Sequence, residues 1–580
     1  MSTSLFRTKK IENILAEGSD DSHGGGGLKR VLSMKDLTFF GIAAILGAGS
    51  FSSLGGAVFH GGPGVVILFI ITAIACAFTA FCYSEFASRI PVAGSAYTYA
   101  YASFGELFAW IIGWALIMEY SIGNIYVAYS WSDYFTSFLD KIGVHIPQYL
   151  CTSYMEVKNE MANGSTNPDV LAAFNTAPMI GSLKIIFDLP AFIINILITM
   201  LVFRGIKESR NFSNLMVILK MIVVALVIIV GGYLVFSHGL TPNWTPPNDE
   251  GVKSFKPNGF SGVMAAVSGV FFAYIGFDAV SVLAEESKNP QRDLPRGMIL
   301  SLVICTIVYI LLTLVLTGAV NYRNFQGVGD PLAFIFEKQN LNVGWMQFFV
   351  AIAAVIAMTS VLLVFQMGQP RIWMSMSRDG LMPPVFQKIH PKYKTPSFAT
   401  IVTGLVVGIP ILFTDKTFVL DFTSIATLFA FVLVCGGVLL IPRKEKQAGK
   451  FHIPFINGQY IFPVIVIGAM LLAYKLSASY FKDMFNFDFS SNADYTSGKI
   501  SFMDVATPNI TLIIFWCSAL LLAAVTFVKK YSLIPLMGLI TCMYLLTGMT
   551  KNNWAWFLGW LLIGLVIYFL YGYKKSKLAS

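Results

Sequence analysis

The chain has 580 residues, 56% of them hydrophobic and only 12% charged, against about 25% charged in a soluble domain. Apolar runs of about 18 residues or more recur, each long enough to cross a hydrocarbon layer of ~30 Å, which excludes a soluble globular protein. The formal net charge of +9 does not signal nucleic acid: with the N-terminus inside, Lys and Arg concentrate in the inside loops and tails, as the topology bias of membrane proteins requires.

Residues 1–35 read as a cytoplasmic tail. In it Leu5, Ile11, Ile14 and Leu15 interleave with Lys9, Lys10 and Glu12 ahead of a Gly24–Gly27 run. This pattern fits a partly helical segment on the inner leaflet or a regulatory element. Fourteen candidate spans follow, starting near residues 37, 63, 104, 189, 213, 260, 297, 346, 397, 418, 459, 510, 532 and 553. The first lacks a small-residue cleavage signature and reads as a true span, not a signal peptide. The organisation expected is a ten-span core over 36–441, four additional spans over 442–573 and a cytoplasmic tail over 574–580. The outside loop 141–188 is long enough to be partly ordered, and its Asn163-Gly164-Ser165 fits a glycosylation sequon. Of the seven Cys, only Cys151 lies in an outside loop, so no disulfide framework is implied.

The irregularities lie in spans 1 and 6. Span 1 contains Ile45-Leu46-Gly47-Ala48-Gly49-Ser50-Phe51, and span 6 contains Phe272-Ala273-Tyr274-Ile275-Gly276-Phe277-Asp278. A single glycine pair in a membrane helix marks either close packing or a break. Two such places, at the start of spans 1–5 and of spans 6–10, favour breaks. Five is odd, so the second set is inverted, and inverted repeats led by discontinuous helices mark a transporter's binding site. A helix restarting after Gly49 offers N–H groups and positive dipole to a carboxylate. Carbonyls freed near Ile45 and from Phe272 to Ile275 can accept from an ammonium. The candidate substrate-binding residues are therefore Ile45, Gly47, Ala48, Gly49, Ser50, Phe272, Ala273, Tyr274, Ile275 and Asp278, forming an amino acid site built mainly from backbone.

At these residues the chain resembles a known family. Phe271–Arg296 (FFAYIGFDAVSVLAEESKNPQRDLPR), Ser84–Tyr99 (SEFASRIPVAGSAYTY) and the QPRIWMSMSRDGLMPP stretch within Gly368–Pro396 are similar to cationic amino acid transporters of the amino acid–polyamine–organocation superfamily. The N-terminal LKRVLSMKDL and the terminal WLLIGLVIYFLYGY match as well. The resemblance implies an all-α, leucine-transporter-like fold, ten core spans plus four more, and import or exchange of amino acids. The sequence departs from the family at the first break, where Ala48 replaces a small hydroxyl residue and Ser50 brings one instead. In span 3, Asn124 and Tyr126 stand where small residues are usual.

Ionisable residues inside spans default to functional roles. Lys220 resembles the lysine that sodium-independent relatives carry where sodium-coupled ones hold the ion; a lysine snorkelling to the inner surface is the alternative. Glu119, deep in span 3, could pair with Lys220, relay a proton, meet substrate or simply hydrogen-bond. Asp278 either faces a cationic side chain or stabilises the span 6 break. Glu285, Glu286, Arg292, Asp293, Arg371, Arg378 and Asp379 fall at inside helix ends, where a network closing the inward gate is reasonable. Six His in tails, loops and span ends make no metal-ligand spacing, no cofactor motif appears, and isolated charges do not make an enzyme's site. The expectation is a multi-pass plasma-membrane permease (inner membrane in a bacterium), both termini cytoplasmic. Its substrate is an amino acid, with the lipid bilayer around it and a small partner helix left open. Transport is expected to be sodium-independent and proton-coupled, an exchanger or facilitator being the alternative.

Overall fold

A computed structural model of the chain describes residues 5, 7–9, 32–47, 49–90, 95–162, 164, 167–181, 183–204, 210–248, 251–393, 395–440, 451–490, 493–497 and 500–578. The Gly24–Gly27 run, Ala48, Asn163, Ser165 and the Glu285 and Glu286 side chains lie outside the described residues.

The regular structure of the described residues is helical apart from one hairpin, Met179–Ile180 paired with Leu183–Lys184. Among the described residues, nine helical stretches are long and apolar enough to cross a membrane, and Leu189–Arg204, Ser397–Ile411 and Leu533–Leu546 are shorter apolar helices. In hydrocarbon every backbone group needs an internal partner, so apolar runs become helices and the protein is a polytopic membrane protein. The outer surface carries the matching signature: Ile229, Tyr233, Val464 and Leu562 are all exposed, as lipid-facing residues are.

Helix starts follow the sequence except at two places. Span 7 begins at Pro290, not near 297, because the charged segment before the apolar run is itself helical, with Pro at the first turn and Asp293 and Leu294 buried. Span 12 begins at Phe502, not near 510, behind a capping box in which Ser501 and Asp504 satisfy each other's backbone groups.

Span 3 (Glu106–Lys141), span 8 (Gly344–Arg378) and span 10 (Lys416–Leu440) enclose the middle of the bundle. Span 14 (Lys551–Ile567) is fastened to span 3 by a stacked tryptophan pair. Trp114 Nε1 donates to the Trp560 carbonyl at 2.8 Å and Trp560 Nε1 donates to the Trp114 carbonyl at 3.0 Å. The helices Gly458–Leu476, Phe502–Lys529 and Leu533–Leu546 add a separate cluster around Phe462, Trp516 and Leu536.

The end of the bundle carrying both termini is closed by the tails themselves. Lys9 pairs with Asp379 at 2.7 Å, and Tyr97 donates to the same carboxylate at 2.5 Å. Arg7 reaches Glu106 at 3.4 Å. Glu106 also accepts from Tyr101 at 3.1 Å, from Tyr568 at 2.9 Å and from Ser576. Leu5 and Lys9, expected on the inner leaflet or in a regulatory element, are seated on protein: the Leu5 carbonyl accepts from the Leu107 N–H and the Lys9 N–H donates to the Tyr101 carbonyl. Asp379 belongs to this socket; Arg292 and Asp293 form only a neighbouring pair at 3.6 Å.

At the other end the loop 141–188 is ordered over helices Tyr154–Ala162 and Pro168–Thr176, with a small core of Val157, Val170, Ala173, Ala177 and Ile186. All seven cysteines are free. Asp188 fastens this loop to the bundle, accepting from Ser132 Oγ at 2.7 Å and from the Ala191 N–H at 2.9 Å. Burial nevertheless pushes its carboxyl up to about 8, and pushes Glu156 and Asp330 up to about 7. The folded protein therefore holds protons that the unfolded chain sheds near ~4. The stability these groups contribute is full below that value and is lost as pH rises through 7 to 8. The midpoint of thermal unfolding of the purified protein should fall between pH 6 and pH 9, and Asp188→Asn should flatten part of that fall.

Candidate functional site

Both suspected breaks are present. The first arm of span 1 (Met34–Ile45) ends at Leu46 with ψ of 74°, and the chain resumes as one wide turn, Gly49–Ser53, before the second arm, Leu54–Gly61. In span 6 the helix Val267–Phe272 gives way to turns and restarts as a tighter helix at Asp278–Glu286. Gly276 sits at φ +114°, a conformation closed to residues with a side chain, and a Cβ there would stand 2.9 Å from the Ala44 Cβ.

The two breaks touch. A Cβ on Gly49 would lie 2.5 Å from the Ala273 Cα, so only glycine allows this approach. Tyr309 of span 7 (Pro290–Ala319) places its hydroxyl 2.8 Å from the Ile45 carbonyl and 2.7 Å from the Ala273 carbonyl. One proton is shared between the two carbonyls that the breaks release. Ser53 adds a second tie, its hydroxyl lying 2.8 Å from the Gly49 carbonyl and 2.9 Å from the Gly269 carbonyl.

Several of the backbone groups already have partners. The Ser50 and Phe51 N–H groups and the Ser50 hydroxyl all turn back to the Gly47 carbonyl at 3.0–3.2 Å. Phe272 O accepts the Ile275 N–H at 3.1 Å, while the Ala273 carbonyl takes the Tyr309 hydroxyl. The Tyr274 side chain points away from the break, its hydroxyl donating to the Phe69 carbonyl at 3.1 Å.

The three intramembrane charges separate. Lys220 does not snorkel: it is wholly buried, and its Nζ donates to the Ala43 carbonyl and to Ser360 Oγ, each at 3.1 Å. Among the described residues no carboxylate pairs with it, and Glu119 in particular does not. Glu119 is buried, and its Oε2 has no hydrogen-bond partner. Asp278 is buried and is the first residue of the restarted helix, a place where the helix N-terminus favours an anion.

A vestibule of about 1820 Å³ opens at the end away from the termini, and Ser52, Ser53 and Tyr126 lie at its floor beside the breaks. Tyr309, Ser53 and Tyr126 carry much of this geometry. The sequence offered no sign of the first two beyond a lone tyrosine or serine in an apolar run, and of Tyr126 only its bulk.

The family model for amino acid permeases matches residues 32–493. The branched-chain amino acid permease BcaP of Bacillus subtilis is 36% identical over 578 residues, covering 100% of both chains. A methylthioribose transporter of the same bacterium is 38% identical over 475 residues, 81% of this chain and 92% of the relative. The vacuolar cationic amino acid transporter 2 of Arabidopsis thaliana is 30% identical over 640 residues, 100% of this chain and 94% of the relative.

The contact between the breaks makes a paired expectation. Gly49→Ala should destabilise the protein by ~1–3 kcal/mol through overpacking and lower its thermal midpoint. Gly56→Ala, where a Cβ would meet nothing within 4 Å, should leave the midpoint unchanged.

Proposed function

This chain belongs to the amino acid permease family, in the cationic amino acid transporter branch of the amino acid–polyamine–organocation superfamily, and we propose that it carries amino acids by alternating access around the paired breaks. It is a transporter and not an enzyme. The observation that supports the reading most is the contact of Gly49 with Ala273 under a hydroxyl shared by Ile45 and Ala273. Unsatisfied backbone in a membrane is tolerated only where protein or a cavity receives it, and this pair lies at the foot of a vestibule.

In this reading residues 36–441 are the core of two inverted five-span repeats, 442–573 add four spans, and both termini face the cytoplasm, at the plasma membrane or, in a bacterium, the inner membrane. The substrate carboxylate replaces the Gly47 carbonyl as acceptor of the Ser50 and Phe51 N–H groups. Gly47, Gly49 and Ser50 form that side of the site, with Ala48 between them. The substrate ammonium donates to Ile45 and to the Phe272–Ile275 stretch, where Ala273 is turned inward. Asp278 and Glu119 add negative charge toward the side chain.

Sodium is not required: the Lys220 ammonium already lies on the Ala43 carbonyl, beside the break, as a fixed or protonatable cation. A Lys220 that releases its proton to the inner side, with Glu119 as a second coupling acid, makes the protein a proton symporter. A permanently charged Lys220 makes it an exchanger or facilitator. The methylthioribose relative supplies a competing substrate class for the first screen.

The test has two stages. A thermal-shift screen of the common amino acids and methylthioribose on purified protein should show stabilisation by one or more amino acids, about 2.7 kcal/mol at a hundredfold excess over Kd. Stabilisation by methylthioribose alone would contradict the amino acid reading. Uptake into proteoliposomes under an imposed pH gradient should then proceed without sodium, and Lys220→Met should abolish gradient-driven accumulation. Sodium-driven uptake would contradict the coupling scheme; full accumulation by Lys220→Met would leave only the exchanger or facilitator.

A further inference from the structure

Two segments from opposite ends of the sequence meet on the same pair of anchors. The first, residues 5–9, lies along the start of span 3. The Leu107 N–H donates to the Leu5 carbonyl at 3.3 Å, the Glu106 N–H to the Arg7 carbonyl at 2.9 Å and the Lys9 N–H to the Tyr101 carbonyl at 3.2 Å. Arg7 and Lys9 are buried while Thr8 between them is exposed, the alternation of an extended segment with one face on protein. The second, residues 573–578, follows span 14 after the wide turn Tyr568–Gly572.

The second segment holds the partners of the first. On the Glu106 carboxylate Arg7 is the most distant donor, 3.4 Å from Oε1, where the Tyr568 hydroxyl donates at 2.9 Å. Oε2 accepts from Tyr101 at 3.1 Å and from Ser576 Oγ. Glu106 is wholly buried, so each donor counts: a buried charged group that loses one bears the full cost of its desolvation. The Arg7 guanidinium also stands 5.1 Å from the centroid of the Tyr573 ring, within reach of a cation–π attraction. At the other anchor Lys9 pairs with the Asp379 carboxylate at 2.7 Å, and the Lys577 N–H donates to the Asp379 carbonyl at 3.1 Å. Beside it Gly380 turns at φ +80°, and a Cβ there would stand 2.4 Å from the Lys575 carbonyl oxygen. The second segment therefore crosses the end of span 8 at a place only glycine permits.

The attachments of the two segments differ. Residues 5–9 precede span 1, the first broken helix. Residues 573–578 follow span 14, which is stacked on span 3. We infer that 573–578 is a strap, an autoinhibitory contact that holds residues 5–9 down across the ends of spans 3 and 8 and keeps this end of the transporter shut until it lifts. The inference rests on the alternating-access reading given above, in which this end must open. Tyr573 and Ser576 are positioning residues: one acts on Arg7 through its ring face, the other through Glu106. With the strap lifted, Glu106 loses the Ser576 donor and Arg7 loses the ring.

Hydrogen exchange of the purified full chain reads the contact directly. Ser576→Ala, Tyr573→Leu and, separately, deletion of 573–580 should speed exchange of the amides of residues 5–9, Glu106 and Leu107 by roughly tenfold, the effect of losing about one buried hydrogen bond. Ser576→Thr keeps the hydroxyl and should exchange like wild type, as should Lys574→Ala, whose side chain is exposed. In proteoliposomes the maximal uptake rate of an amino acid that wild type carries should rise at least about twofold in the same three variants, since conformational steps of this kind set many turnover rates. The Kd for that amino acid should not change. Should the deletion not yield folded protein, the two point variants carry the comparison. Unchanged exchange in residues 5–9 would overturn the inference and leave the transport reading intact. Faster exchange with an unchanged or lower uptake rate would overturn the autoinhibitory role, the strap then being a structural contact only. A wild type that carries no amino acid would overturn the transport reading and this inference together.

Discussion

In hydrocarbon an unpartnered backbone carbonyl or N–H costs several kcal/mol, and this protein interrupts two of its helices inside the membrane. Everything near the middle of the bundle answers that cost. Tyr309 shares its proton between the Ile45 and Ala273 carbonyls. Lys220 takes the Ala43 carbonyl. Ser53 bonds across to Gly269. Each partner comes from a different part of the chain, so the breaks hold the bundle together as much as the bundle holds them open. Groups arranged this way can exchange one partner for another at small net cost, which is what a reversible binding site requires.

The two ends of the bundle differ. One opens into a vestibule reaching Ser52 and Tyr126, while the other is shut by Arg7 and Lys9 on the buried carboxylates of Glu106 and Asp379. Span 14 takes part in that closure. It stacks on span 3 through Trp560 and Trp114, Trp110 Nε1 donates to its Gly564 carbonyl at 2.9 Å, and Tyr568 and Ser576 finish the socket around Glu106. The C-terminal helices are therefore bound to the helix whose side chains line the breaks.

The hydropathy of the chain made its spans legible, and glycines at 47, 49 and 276 made the breaks legible, because each rule depends on local sequence alone. Burial of Lys220 followed from the rarity of charge in a span, and its seat on a carbonyl of span 1 from the break beside it. The pairing of Lys220 with Glu119 did not follow, since helix rotation decides which of two buried charges meet. Asp278 carried two readings, and sequence has no means to weigh a cap against a pocket. The tail residues Arg7 and Lys9 were illegible for another reason: their partners lie 99 and 370 residues away, and nothing near Lys9 distinguishes it from a lysine at a lipid surface. Tyr309 was likewise one tyrosine in an apolar helix until the two carbonyls it joins were brought beside it.

Tyr309 offers the most direct measurement of whether the two breaks form one site. Removing only its hydroxyl, in Tyr309→Phe, keeps the ring and its packing but leaves the Ile45 and Ala273 carbonyls without their common donor. Equilibrium binding of the tightest amino acid ligand to purified protein should weaken by roughly tenfold or more, the loss of a buried hydrogen bond's worth of positioning, with the unliganded protein still folded. Wild-type affinity in Tyr309→Phe would contradict the account, since the substrate would then be held somewhere other than the place where the two broken helices meet.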